Sequence, residues 1–243
     1  DETSGDVFAT VLVYSGNFVA EAAPGKFDST RAMIGLNPEE FSWKLNPGED
    51  FQTPEAYLCY SCEGMGGMSR SFHKLVHNHI TTGKFARSNR PILCNNWEAT
   101  YFDFNEEKLC NLMGDAVKLG VDMFLLDDGW FGNKYPRHGD TQGLGDWEET
   151  ANKLPGKVTK LVEEAQKKGI KFGIWIEPEM VNPKSELYEK HKDWVIHLPN
   201  RDEYYFRNQM VLDLSNPKVQ DFVFGVVDRL MTDYPGIAYF KWD

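Results

Sequence analysis

Two charged residues close the last apolar run of the sequence, IAYFKWD, which spans residues 237–243. Lys241 and Asp243 are two positions apart, and side chains of a strand alternate between its faces, so both should lie on one face. The ammonium group of Lys241 then favours the ionised form of the Asp243 carboxylate. An ionised, oriented carboxylate at a strand end is suited to attack the anomeric carbon of a sugar. A plain salt bridge between the two side chains is the alternative.

A second pair of carboxylates follows the apolar run MFLL, in the segment DDGW. Asp127 and Asp128 cannot point the same way along an extended chain, but the backbone turns at a strand end, so both can face one cleft. Carboxylates accept hydrogen bonds from sugar hydroxyls, and the chain has seven tryptophans whose rings could stack on a pyranose. A turn stabilised by two aspartates is the alternative interpretation.

The segment WIEPEM places Trp175 in a third apolar run and Glu177 and Glu179 just beyond it. We interpret Trp175 as a wall of a pocket. The two glutamates could serve as general acid and base, or could hold loops by accepting hydrogen bonds from backbone N–H groups.

Arg207, in the segment FRNQMVLDLSNP, carries a planar fork of donors that suits hydroxyls and carboxylates, although a surface arginine is an equal alternative. Asp213 in the same segment is interpreted as local scaffolding near a helix start.

Metal, redox and cofactor chemistry have little support in the sequence. Cys59 and Cys62 form a C-x-x-C, but no second such pair and no suitably spaced histidine pair accompanies it, so ordinary thiols are the interpretation. The six histidines are scattered and form no H-E-x-x-H, and there is no G-x-S-x-G. We therefore expect no metal and no cofactor.

Apolar runs alternate with amphipathic stretches from Pro91 onward, which predicts a parallel sheet covered by helices. A doubly wound sheet and a (β/α)8 barrel both fit this pattern. Barrel enzymes gather catalytic groups from the C-terminal ends of several strands, and no G-x-G-x-x-G is present, so the first half of a barrel is favoured. The four predicted strand ends carry Trp97 with Glu98, Asp127 with Asp128, Glu177 with Glu179, and Lys241 with Asp243.

Capping residues predict where the helices between these strands begin and end. Asn105 is a suitable N-cap for the helix NEEKLCNLMGDAVKLG, and Gly120 is a suitable stop. In LSNP, Ser215 or Asn216 caps a helix with Pro217 in its first turn, and that helix should run to about Thr232.

Three regions follow from these patterns. Residues 1–65 contain strand-like stretches separated by turn clusters and predict the end of an antiparallel β domain. Residues 66–90 predict a connecting helix and linker, with GMGG as a glycine-rich turn and the helix beginning at Met68. Residues 91–243 hold the four strand–helix units.

Length and charge limit the class of protein further. A chain of 243 residues can bury a sizeable core, and its net charge of -11 argues against nucleic acid or an anionic membrane as partner. No apolar run approaches the roughly 18 residues that span a bilayer. There is no signal peptide, and because the first residue is not Met, the true start of the protein is expected to lie upstream.

Eight motifs taken together resemble glycoside hydrolase family 36, the bacterial-type α-galactosidases. They occur in order over nearly the whole chain: VYSGNF, FSWKLNPGEDFQTPEA, NNWEATYFDFNEEKL, LDDGWFG, LGDW, WIEPEM, RNQMVLDLSNP and YFKWD. The resemblance implies an N-terminal β-supersandwich before a (β/α)8 barrel. It also implies retaining hydrolysis of terminal α-galactosides such as melibiose and raffinose, in the bacterial cytoplasm and by a full-length protein that is a homo-oligomer.

The resemblance also implies roles for individual residues. Asp243 would be the nucleophile and Lys241 would bind galactose hydroxyls. Asp127 and Asp128 would hold the axial O4 and the O6, which selects galactose over glucose. Three further residues would line the pocket or its mouth: Arg207, Trp175 and Trp97.

The sequence departs from the family by truncation, because the acid/base aspartate of the family lies on a later strand. We therefore expect little activity from these residues alone. Three alternatives stay open: an α-N-acetylgalactosaminidase, a galactosyltransferase of raffinose-synthase type, and a sugar-binding piece without catalysis.

Overall fold

The computed structural model describes residues 1–39 and 41–243, which form two compact units, Asp1–Asn89 and Arg90–Asp243. The first unit contains two antiparallel strand pairs, in which β1 pairs with β4 and β2 with β3. Its elements are β1 (Val7–Leu12), β2 (Phe18–Pro24), β3 (Thr30–Leu36), β4 (Ala56–Ser61), helix α1 (Gly64–Leu75) and a π-helical turn (Val76–Ile80).

Helix α1 begins four residues earlier than predicted, because the glycine-rich stretch is helical rather than a turn. The glycines there serve close packing. A Cβ at Gly66 would lie 2.8 Å from the carbonyl oxygen of Glu2, and one at Gly67 would lie 2.4 Å from Ser61 Oγ. A glycine needed for close approach and a glycine that breaks a helix look the same in the sequence.

The second unit alternates strands and helices. Its strands are β5 (Leu93–Asn95), β6 (Met123–Leu126), β7 (Lys171–Ile176), β8 (Met180–Val181), β9 (Met210–Val211) and β10 (Ile237–Trp242). Its helices are α2 (Trp97–Thr100), α3 (Glu106–Lys118), α4 (Lys157–Lys167), α5 (Glu186–Lys190), a 3₁₀ turn (Lys192–Trp194) and α6 (Pro217–Asp233).

Four strands of this unit form one parallel sheet in the order β5-β6-β7-β10. Each strand therefore lies beside the next one in the chain, without the reversal of order that defines a doubly wound sheet. Strand–helix units that progress in one direction are the first half of a (β/α)8 barrel, as predicted. The short strands β8 and β9 form a separate antiparallel pair in the long connection between β7 and α6.

The helix boundaries confirm the predicted caps. The Asn105 side chain accepts a hydrogen bond from the backbone N–H of Lys108 at the start of α3, and Gly120 follows that helix with a φ of +81°. Asn216 caps α6 in the same way, accepting from the N–H of Lys218. Helix α6 ends at Asp233, one residue beyond the predicted end.

The core lies between the parallel sheet and the helices that cover it. All four residues of β6 are buried, as are Leu109 and Met113 on α3 and Leu161 on α4. A smaller buried cluster surrounds the β8–β9 pair and includes Trp194. None of the helices in the described ranges is long and apolar enough to cross a membrane.

Candidate functional site

Four predicted site residues meet at the C-terminal edge of the parallel sheet, with Lys241 at their centre. Its Nζ lies 3.0 Å from Asp127 Oδ2 and 3.7 Å from Asp243 Oδ2. Trp175 donates a hydrogen bond from Nε1 to Asp243 Oδ2 at 3.0 Å. Strands β6, β7 and β10 are neighbours, so their ends bring these side chains together although up to 116 positions separate them in sequence.

Asp127 is held by donors on three sides. Its Oδ2 accepts from Asn95 Nδ2 as well as from Lys241, and its Oδ1 accepts from the backbone N–H of Asp128 at 2.8 Å. Its own N–H donates to Asn96 Oδ1 at 2.8 Å. Asp243 by contrast leaves 56% of its side-chain surface exposed, so a ligand can reach its carboxylate.

Asp128 turns its carboxylate to a buried arginine rather than to Lys241. Arg137 donates from Nε to Asp128 Oδ1 at 3.0 Å and from Nη2 to Oδ2 at 2.9 Å. A two-pronged pair of this kind fixes the plane of the carboxylate. Both side chains are almost fully buried, and losing one partner of such a pair typically costs about 3–5 kcal/mol.

Lys153 supports the loop that carries this ion pair. Its Nζ donates to three backbone carbonyl oxygens, those of Phe102 at 2.9 Å, Gly129 at 2.8 Å and Arg137 at 3.0 Å. Burial lowers the pKa of Lys153 to about 8, while the nearby Asp128 carboxylate opposes this shift.

Aromatic packing fixes the orientation of Trp175. Its ring stacks on Phe131 with the two planes 1° apart, and its carbonyl oxygen accepts from Trp130 Nε1 at 3.0 Å. Trp147 packs against the same ring at a centroid distance of 6.0 Å. The indole N–H that reaches Asp243 is therefore set by neighbours in the loop after β6.

The two glutamates of WIEPEM hold side-chain donors, not the backbone N–H groups that the sequence suggested. Glu177 accepts from Gln209 Nε2 at 2.6 Å, and both Glu179 oxygens accept from Trp242 Nε1 at 2.8 Å. Each glutamate thus anchors an element distant in sequence. Burial raises the pKa of Glu177, and the negative charges of Asp128 and Asp243 raise it further.

Two predicted residues lie apart from this cluster. The Trp97 ring packs edge-on against Tyr101 and Phe102, at centroid distances of 5.3 and 5.0 Å. Arg207 is exposed at the tip of a turn with a φ of +50°. Within the described residues, neither has a hydrogen bond or ring contact to Asp127, Asp243 or Lys241.

The remaining candidates from the sequence are Asp213, the cysteines and possible metal ligands. Asp213 accepts from the N–H and hydroxyl of Ser215, which confirms its scaffolding role. The cysteines are free thiols. Among residues 1–39 and 41–243, no group of three or more histidine, cysteine or acidic side chains could hold a metal ion.

Sequence reasoning did not single out several polar residues that organise the site, namely Asn95, Asn96, Arg137, Lys153, Asn182 and Gln209. The two asparagines follow the first apolar run directly, so their position at a strand end was an available signal. Arg137, Lys153 and Asn182 lie in long loops, where spacing gives no indication of burial.

Comparison with known families decides the relationship. The family described as Melibiase matches residues 50–243, and the glycosyl hydrolase family 36 N-terminal domain matches residues 1–46. The chain belongs to glycoside hydrolase family 36. The family 36 resemblance in the sequence is thereby confirmed.

Individual family 36 relatives agree with this assignment. The α-galactosidase AgaA of Geobacillus stearothermophilus is 46% identical over the whole chain, and Mel36A of Lactobacillus acidophilus is 43% identical. Both comparisons cover 100% of this chain and 33% of the relative. The crystal structure of an AgaA variant in complex with raffinose superposes with a TM-score of 0.94, at 46% identity and with the same coverage. This family 36 chain thus spans about a third of the length of these relatives.

Proposed function

We propose that this chain supplies the nucleophile and most of the sugar pocket of a retaining α-galactosidase. The observation that carries the proposal is the position of Lys241, whose ammonium group lies between the buried Asp127 and the accessible Asp243. Asp127 is buried and accepts three hydrogen bonds, one of them from Lys241, whereas Asp243 is the exposed carboxylate and is free to react. The α-galactosidase relatives and the raffinose-bound AgaA variant support the substrate class.

In the proposed step, a carboxylate oxygen of Asp243 attacks the anomeric carbon and the bond from that carbon to the leaving oxygen breaks. The electron pair goes to the leaving oxygen, which needs a proton from a second carboxyl group about 5–5.5 Å away. We propose that this acid/base residue is not among residues 1–243. Trp175 Nε1 and Lys241 Nζ orient Asp243 for the attack.

The remaining predicted residues are proposed to recognise the sugar. Asp127 and Asp128 would accept from the axial O4 and from O6, and Lys241 would donate to ring hydroxyls. Arg207 would line the pocket and Trp97 would lie near its mouth, and both would contact the bound substrate. The ring of Trp175 would form a wall of the pocket.

Calorimetric titration of the chain with monosaccharides tests this proposal. A hydrogen bond to a carboxylate contributes about 1.5–3 kcal/mol, and each 1.4 kcal/mol is a tenfold change in Kd, so galactose should bind at least about tenfold more tightly than glucose. Asp127→Asn should remove most of that preference. Asp103→Asn is the matched control, because Asp103 is exposed and its ion pair with Lys108 lies at the surface.

Equal affinity for galactose and glucose would overturn the proposal. Tighter binding of N-acetylgalactosamine than of galactose would favour the α-N-acetylgalactosaminidase alternative.

A further inference from the structure

Asn182 is a buried residue whose side chain connects two loops of the second unit by hydrogen bonds. Its side chain is fully buried and makes four hydrogen bonds. Oδ1 accepts from Arg137 Nη1 and from the N–H of Leu144, both at 2.9 Å. Nδ2 donates to the carbonyl oxygens of Asp140 at 3.1 Å and Asn208 at 2.7 Å. The amide therefore uses both donors and both acceptor positions, and no other side chain offers this set in the same volume.

The hydrogen bond from Arg137 connects Asn182 to a proposed sugar-binding carboxylate. Arg137 is 1% exposed, and the same guanidinium that donates to Asn182 also makes the two-pronged pair with Asp128. Its Nη1 has a further acceptor in the carbonyl oxygen of Gln142 at 3.1 Å. A displacement of Arg137 would thus disturb its pair with Asp128 and its hydrogen bond to Asn182 together.

The hydrogen bond to the carbonyl oxygen of Asn208 connects Asn182 to the turn that carries Arg207. Phe206 and Gln209 exchange backbone hydrogen bonds of 3.1 Å, so Arg207 and Asn208 are the two central residues of a tight hairpin turn. Their φ values are +50° and +60°, as in a type I′ turn. Arginine rarely adopts this backbone conformation, so the surrounding contacts must hold it there. The hydrogen bond from Asn182 to the Asn208 carbonyl is one such contact.

We propose that Asn182 is a positioning residue that fixes Asp128 and Arg207 relative to each other, so that the two bind the sugar as one unit. This inference rests on the proposed function, since it requires that both residues contact the substrate. Neither contact is made by Asn182 itself. A substitution of Asn182 should therefore change sugar binding entirely through Asp128 and Arg207.

A double-substitution cycle on the whole chain tests this coupling, with galactose as the probe and Kd measured by calorimetry. Asn182→Asp keeps an acceptor for Arg137 but removes both donors, which releases the Asn208 carbonyl. We expect Asn182→Asp and Arg207→Ala each to weaken binding about fivefold or more. The free-energy changes of independent sites add to within a few tenths of a kcal/mol, so independent effects on Kd would multiply. For coupled residues, we expect the double variant to bind no more than about twofold more weakly than the single variant with the lower affinity.

Two further variants keep the test decisive. Asn208→Gly is the matched control, since glycine tolerates the positive φ and keeps the carbonyl oxygen, so galactose affinity should change less than about twofold. If Asn182→Asp fails to fold by circular dichroism, the cycle of Arg137→Lys with Arg207→Ala replaces it. Arg137→Lys keeps the charge but loses the planar fork, and its effect should again fail to multiply with that of Arg207→Ala.

The outcomes separate the two proposals. Effects that multiply in the cycle would overturn the positioning role and leave the proposed function standing. A parent chain that shows no preference for galactose over glucose would overturn both.

Discussion

Glu177 lies half-buried just beyond the end of β7, among other charged side chains. Four carboxylates, those of Asp127, Asp128, Glu177 and Asp243, lie near two cations, Lys241 and Arg137. Burial raises the pKa of Glu177, and the negative charges of Asp128 and Asp243 raise it further. A group of this kind stabilises the fold at low pH. That contribution is lost as the pH rises from the ordinary glutamate pKa, about 4.3, through the raised pKa of the folded state.

Glu177→Gln should therefore stabilise the chain at pH 7 relative to its effect at pH 4. The substitution removes the half-buried charge but keeps an oxygen that can accept from Gln209. The measurement is the free energy of unfolding by urea at both pH values, and the gain at pH 7 should exceed the gain at pH 4. Glu148→Gln, at an exposed position, controls for the loss of one charge from the chain. An equal effect at both pH values would show that Glu177 is not held in this environment.

At the scale of single residues, the sequence predicted which strand-end side chains meet better than it predicted the residues that hold them in place. The two-residue period of a strand was sufficient to place Lys241 beside Asp243, 3.7 Å apart between charged atoms. Arg137 and Asn182 could not be predicted, because an arginine or asparagine in a long loop is ordinarily exposed. Only the three-dimensional path of the loops buries them.

At the scale of elements, the ends of strands and helices were predictable where local chemistry fixes them. The caps Asn105 and Asn216 satisfy backbone N–H groups of their own helices, so they act without knowledge of the rest of the fold. The turn at Arg207 and Asn208 was not predictable. Its positive φ values are normally signalled by Asn-Gly or Asp-Gly, and here tertiary contacts hold it instead.

Gly173 in β7 gives a test of how closely the barrel strands pack. A Cβ at this position would lie 3.0 Å from Leu125 Cδ1 and 3.2 Å from the carbonyl oxygen of Tyr239, on the two neighbouring strands. Gly173→Val should destabilise the chain by about 1–3 kcal/mol through overpacking. Urea unfolding measures the change.

The matched control for that prediction is Gly225→Ala in α6, where the added Cβ would meet no described atom within 4 Å apart from its chain neighbours and the backbone of its own helix. Since alanine is the better helix former, this variant should be neutral or more stable by up to about 1 kcal/mol. Loss of stability in the control but not in Gly173→Val would contradict the packing described for the sheet.

At the scale of the whole molecule, the order β5-β6-β7-β10 is the property that the sequence predicted most completely. Alternating apolar and amphipathic segments define parallel strands and covering helices, and polar residues at every strand end distinguish a barrel from a doubly wound sheet. The sheet leaves one side each of β5 and β10 without a strand partner in the described part of the chain.

We propose that Asp243 is a nucleophile whose proton donor lies outside residues 1–243. A donor such as α-galactosyl fluoride separates the two functions, since fluoride leaves without a proton whereas the alcohol of melibiose does not. General acid–base catalysis typically contributes about 10²–10⁴-fold. Without the proton donor, melibiose cleavage should therefore be slower by about that factor, and the breakdown of a covalent intermediate should be slow as well.

The most direct measurement is therefore mass spectrometry of the purified chain after incubation with α-galactosyl fluoride. We predict that the chain gains the mass of one galactosyl group, that the peptide containing Asp243 carries it, and that Asp243→Asn abolishes it while Asp103→Asn does not. Melibiose should give neither the adduct nor free galactose. A galactosyl group on any other residue, an unlabelled chain, or ready hydrolysis of melibiose would overturn the assignment of Asp243 as the nucleophile.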